Sequence, residues 1–243
     1  MLVLVSLLLP TFAGVREATR QVVCSANVRS VGTAMQMYSN VWNDYLPPSV
    51  HDGVGRASES RQLHLMFIGR LESMNQWDGA GILYSEGFLS TPGVFYCPSH
   101  QGDNRKREFD EQWDGKEGQI ALNYHYRGAS VNGIERITLL PLTAAVLTDS
   151  LGTQQDFNHR VGANALRSDM SVWWVQDQGG KIASSLAPDV GTADNQSRVS
   201  TAWRAIDAGV SNGGVVDPSR DPTEAAPEVA PAVQQGRAGR LSR

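Results

Sequence analysis

The stretch from Met1 to about Asn43 constrains the fold more than any other part of the chain. It opens with an apolar run, MLVLVSLLLPTFA, interrupted by Pro10. It continues as VREATRQVVCSANVRSVGTAMQMYSNVW, with no Pro and only Gly14 and Gly32 as breakers. At 100° per residue Cys24, Val28, Val31, Met35, Tyr38 and Trp42 share one stripe, with Ala34 and Val41 at its edge. Ser25, Arg29, Gln36, Asn40 and Asn43 fall on the opposite side. The pattern predicts one long helix, apolar all round in its first third and laid by one face on a core thereafter. Asn43-Asp44 and Pro47-Pro48 end it.

A helix that leaves an apolar medium to become the spine of a soluble domain points to a membrane-tethered protein. Three readings fit the apolar run. A membrane span needs about 20 apolar residues, and Met1 to Ala13 is shorter. A secretory signal has a basic start and a small-residue cleavage site, but no Lys or Arg precedes Arg16. The third reading is a run that lacks the beginning of a longer segment.

The stretch LLLPTFAGVREATRQVVCSANVRSVGTAMQMYSN resembles the N-terminal helix of type IV pilin-like proteins and type II secretion pseudopilins. It is most similar to the bacterial subgroup with LLLPAL, AREAAR and a following C–x–x–N–L. Pro10, Arg16, Glu17, Ala18, Arg20, Cys24, Asn27, Arg29, Gly32, Ala34 and Tyr38 sit at matching positions. The prepilin-peptidase site and roughly the first dozen residues of the family's mature helix are absent, so an N-terminally truncated reading or an unprocessed relative is expected. The family's assembly Glu belongs to that missing stretch. The resemblance implies an assembly helix carrying Leu7, Leu8, Leu9, Pro10, Phe12, Arg16, Glu17 and Arg20. It implies a single-pass inner-membrane protein with its globular domain in the periplasm, although Arg16 and Arg20 taken alone would favour the cytoplasm. Partners would be other pilin-like subunits and the membrane.

Composition bounds the remainder. At 243 residues, 41% apolar and 19% charged, the chain has room for one ordinary domain plus extensions. A net charge of −4 gives no reason to expect nucleic-acid binding. The two cysteines, Cys24 and Cys97, form no CxxC motif. Outside the cytoplasm they would suit a disulfide pinning the helix to a later strand, worth about 2–4 kcal/mol. Two buried thiols fit equally.

Further along, 44–60 reads as a loop, 61–75 as a helix holding a packed or solvated His64, ILYSEGFL as a short helix and Val94 to Cys97 as a strand. The helix and the Phe-x-Cys-Pro-Ser strand again resemble the subgroup. The charged run 102–118 reads as a solvated excursion without the calcium-loop spacing of an EF-hand. IALNYHYRG and TAAVL read as strands, the second ending at Thr148-Asp149. Gln178 to Ser197 reads as a loop, 198–208 as a short helix, and 209–243, rich in Pro and Ala, as a disordered tail.

In FNHRVGANALRSDMSVWWV, His159, Gly162, Ala163, Asn164, Leu166, Asp169 and Val172 match the subgroup's pattern of His, nine residues and Asp-Gly, with Met170 replacing the Gly. The reading is a hairpin of strands 163–167 and 171–175 around Ser168-Asp169-Met170. Since Met tolerates φ > 0 poorly, this turn is expected to be another type or to carry strain. A fold-stabilising His159–Asp169 hydrogen bond is the expectation for the motif. Asp149, Asp156 and Asp169 are weak calcium candidates, and no other cofactor is indicated. No nucleophile elbow, phosphate loop or zinc-protease motif occurs.

The expected fold is α+β, with a long N-terminal helix packed on an antiparallel sheet and short connecting helices. Residues 1–23 form the membrane or filament segment, 24–208 the globular domain and 209–243 the tail. The expected function is a non-enzymatic subunit of a pilus-like or pseudopilus assembly. A tethered binding module would instead present Trp77 and Trp113 beside one concave surface. A hydrolase would bring His159 and Asp169 together with a nucleophile.

Overall fold

A computed structural model describes residues 2–48, 68–70, 77–127, 136–189 and 195–211; for 2–13, 68–70 and both ends of the last helix it describes the backbone alone. Helix α1, Leu2–Val41, is one unbroken rod of 40 residues, about 60 Å long at about 1.5 Å per residue. Pro10 lies inside it. The expected stripe is the docked face: Cys24, Val28, Val31, Ala34, Met35 and Tyr38 are buried. Trp42 and Val41, placed on or beside that stripe, are instead 48% and 64% exposed, because the helix has reached the end of the core. Asn43 and Asp44 take the left-handed conformation (φ 51° and 68°), and the Asp44 N–H returns to the Ser39 carbonyl to close the last turn.

The sheet that receives α1 is a four-stranded antiparallel meander in the order β3-β4-β5-β6. Its strands are β3 (Tyr124–Tyr126), β4 (Ala145–Asp149), β5 (Gly162–Arg167) and β6 (Val172–Gln176). A separate pair joins β1 (Ile68–Arg70) to β2 (Ile120–Ala121). Leu147 pairs with Leu166 across the β4–β5 ladder, and both join the core under α1. Ala163 and Ala165 face the other way, into a second core with Val199, Ala202, Trp203 and Ile206 of α5, which spans Asn195–Ser211. The sheet therefore lies between two helical layers, an α+β architecture. At Gly32 a Cβ would stand 2.6 Å from Leu166 Cδ1, so the bare glycine lets α1 settle directly on β5.

Several expectations are corrected. Residues 68–70, expected to be helical, form β1; the rest of 61–75, with His64, lies outside the described residues. Pro92–Phe95 is a 3-10 turn, which Pro92 favours by fixing φ, and no strand forms over 94–97, although Tyr96 is extended. The Tyr-rich strand splits at Leu122-Asn123 into β2 and β3. The charged excursion contains α3 (Asp110–Trp113), after α2 (Ile82–Ser85), and buries Trp113 against Phe95, Tyr84 and Trp77. The expected loop 178–197 holds α4 (Lys181–Ser185), entered through left-handed Gly179 and Gly180, with Asp177 accepting from the N–H groups of Ile182 and Ala183. The tail from 212 onward lies outside the described residues.

The hairpin is where the motif placed it. Arg167 N–H donates to Ser171 O and Met170 N–H to Arg167 O, making a three-residue loop whose last member, Met170, is left-handed (φ 63°). This is the position at which glycine is preferred, so the expected strain is present.

Candidate functional site at the helix–sheet junction

Four segments distant in sequence bring polar groups to one buried point beside α1. Cys24 opens the docked stripe. Cys97 follows the 3-10 turn, where its N–H donates to Asn123 Oδ1 (2.6 Å). Asp149 ends β4 on the face toward α1, and His159 stands in the loop before β5. One ligand-type atom from each lies within 4.8 Å of all the others, and all four residues are buried.

A buried carboxylate is costly unless it is hydrogen-bonded. Asp149 Oδ2 accepts from the backbone N–H (2.6 Å) and the side-chain amide (3.2 Å) of Asn164. Its Oδ1 accepts from Asn158 Nδ2 (3.3 Å) and from the Cys24 thiol (2.9 Å). Cys24 Sγ is also 3.3 Å from Tyr124 Oη. His159 Nε2 is 3.5 Å from Cys97 Sγ and 3.7 Å from Asp149 Oδ2, while its Nδ1 is 2.8 Å from Glu17 Oε1. Glu17, about two turns before the docked stripe, also accepts from Ser99 Oγ at 2.8 and 3.0 Å. Trp174 stands edge-on to the His159 ring with centroids 5.6 Å apart. It can reach that place because Gly162 has no Cβ, which would meet Trp174 Cζ2 and the Val175 carbonyl at 2.5 Å.

Burial pushes the Cys24 thiol well above its ordinary value and raises Cys97 as well. Burial alone would lower His159, but the Cys24 thiol, Asp149 and Glu17 outweigh it and hold the imidazole at about 9. The junction thus sets the His159 imidazole between Asp149 and Glu17, beside two thiols whose deprotonation burial opposes. Neutral, enclosed thiols are the opposite of what a nucleophile needs.

The structure brings Cys24 and Cys97 together as free thiols. It does not join His159 to Asp169. Asp169 stands beyond the far end of β5, a strand of about 20 Å at about 3.3 Å per residue. There it accepts from Ser171 N–H (3.0 Å) and pairs with Arg167 (3.0 Å). The calcium set does not converge either. Asp156 binds Thr153 (2.9 Å) and faces His100 (3.8 Å), so Asp149 alone of the three carboxylates is in the junction. Glu17 joins it, 142 residues from His159 in sequence; its matching position in the helix was visible, its partner was not. Arg20 lies 3.9 Å from Glu17, and Arg16 is exposed. Leu7, Leu8, Leu9, Pro10 and Phe12 lie in the part of α1 described by backbone alone.

Trp77 and Trp113 are in ring contact, 5.7 Å between centroids, but they do not share an exposed surface. Trp77 lines an open groove of about 910 Å³ with Tyr38, Trp42, Tyr45, Leu46 and Ile82. Trp113 is buried in the core.

A family model described as "Protein of unknown function (DUF1559)" matches residues 14–136. No curated protein and no solved structure matches the chain.

Proposed function

The chain belongs to the DUF1559 family of proteins of unknown function, and from that premise we propose that it is a non-enzymatic structural subunit of a pilus-like or pseudopilus assembly. In this reading α1 holds the subunit in the inner membrane before assembly and packs among neighbouring helices afterwards, with the α+β domain in the periplasm. One observation carries it. The helix that forms the spine of the domain continues past it, and over 14–23 its side chains are exposed apart from half-buried Glu17 and Gln21. Val15 and Val22 are 62% and 69% exposed there beside the charged Arg16 and Arg20, and the same helix runs on into the apolar stretch 2–13, which calls for lipid or partner helices around it. The resemblance of 7–40 to pilin-like helices supports the same reading. Among the described residues no helix is long and apolar enough to cross a membrane.

The test is fractionation of the 243-residue chain beside a form extended upstream at its N-terminus. The extended form is expected in the membrane fraction and in crosslinked multimers. If both forms stay wholly soluble and monomeric, the reading fails.

A further inference from the structure

We propose that Cys24, Cys97, Asp149 and His159 form a closed tetrahedral site for one zinc-type divalent cation that fastens α1 to the sheet. This is independent of the filament reading.

The donor set selects the occupant. Two sulfurs, an imidazole nitrogen and one carboxylate oxygen suit zinc, whereas calcium and magnesium take oxygen ligands almost throughout. The spacing also fits. Zinc bonds of about 2.0–2.3 Å in a tetrahedron put neighbouring donor atoms about 3.3–3.8 Å apart. The separations are 2.9 Å from Cys24 Sγ to Asp149 Oδ1, 3.5 Å from Cys97 Sγ to His159 Nε2 and 3.7 Å from His159 Nε2 to Asp149 Oδ2, and one donor atom from each of the four residues lies within 4.8 Å of the others.

The surroundings are those of ligands held in place from behind. His159 turns Nε2 toward the cluster and Nδ1 toward Glu17, so the imidazole is aimed and its tautomer set by a carboxylate outside the cluster. Asn164 and Asn158 hold Asp149, Asn123 holds the Cys97 backbone, and Tyr124 Oη stands beside the Cys24 sulfur. A Cys24–Cys97 disulfide would use two of the four groups and leave Asp149 and Nε2 turned toward an apolar sulfur pair. With all four donors buried and no open position, the site is structural. As the metal enters, the two thiols and the imidazolium each release one proton to solvent, and the metal binds two thiolates, a neutral imidazole and a carboxylate.

The test uses the full chain purified under reductant, loaded with Zn²⁺ alone, desalted and assayed for metal and protein. About one equivalent per chain is expected. Loading with Co²⁺ should give the intense visible bands of tetrahedral coordination together with thiolate charge transfer. Cys97→Ser should lower the charge-transfer intensity, because only the Cys24 thiolate remains. Glu17→Gln lies outside the ligand set on a partly exposed side chain; it should keep the fold and bind Zn²⁺ about 10–100-fold more weakly. Folded wild-type chain that retains no Zn²⁺, or gives only the weak spectrum of octahedral Co²⁺, overturns the proposal without recourse to any variant. So does a Cys24–Cys97 disulfide in chain recovered from its native compartment without reductant.

Discussion

Gly162→Ala tests whether the packing around the junction is as tight as the geometry implies. The added Cβ would lie 2.5 Å from both Trp174 Cζ2 and the Val175 carbonyl oxygen. A side chain could swing away, but the carbonyl belongs to β6, which pairs with β5 at Ala163↔Val175, so a strand has to move. Overpacking of this kind costs about 1–3 kcal/mol. Replacing Gly by Ala also restricts the unfolded chain and returns about 0.4–1 kcal/mol. The expected net loss is about 1–2 kcal/mol, or about 2–8 °C in melting temperature for a chain of this length. Gly93→Ala is the control, because nothing lies within 4 Å of its added Cβ. Urea unfolding followed by tryptophan fluorescence reads both variants, and Trp174 is itself a reporter. A Gly162→Ala midpoint equal to or above wild type would refute the argument that the bare glycine seats Trp174 over His159.

Two further outcomes are expected. Met170→Gly should exceed Met170→Val in stability by about 1–2 kcal/mol, because a β-branched residue is the least tolerant of the left-handed position; equal urea midpoints would show that the turn rearranges. Burial raises the Asp156 carboxyl above its ordinary value, against the pull of Thr153 and His100. A raised carboxyl contributes its stability fully below the unfolded value, near 4, and loses it as pH climbs through the folded value. Asp156→Asn should therefore gain on wild type as pH rises above about 4, read as the difference between paired unfolding midpoints; a difference flat in pH would refute this.

What the sequence made legible was periodic or locally punctuated. The α1 stripe from Cys24 to Tyr38, the stop at Asn43-Asp44, β4 ending at Asp149 and the β5–β6 hairpin all follow from spacing and turn chemistry. The errors have physical causes. Val94 to Cys97 looked like a strand because its side chains are apolar, but Pro92 tightened the approach into a 3-10 turn. The charged run hid α3, since one Trp among ten charged residues is enough to bury when Phe95 and Tyr84 wait for it. The junction was half visible. Cys24 and Cys97 could be linked as the only two cysteines, whereas Asp149 and Glu17 meet their partners through tertiary folding alone. One signal was available: Asp149 ends a strand that is otherwise apolar but for Thr148, and a carboxylate carried into a core needs several donors.

The contact between Gly32 and Leu166 also indexes the rod. Sliding α1 along its axis by one turn, about 5.4 Å, would carry either Val28 or Gln36 over the isobutyl group that now occupies the bare glycine's place. Neither side chain leaves room for it. The body is therefore keyed to one height on its shaft, and an axial pull on the shaft moves the body with it.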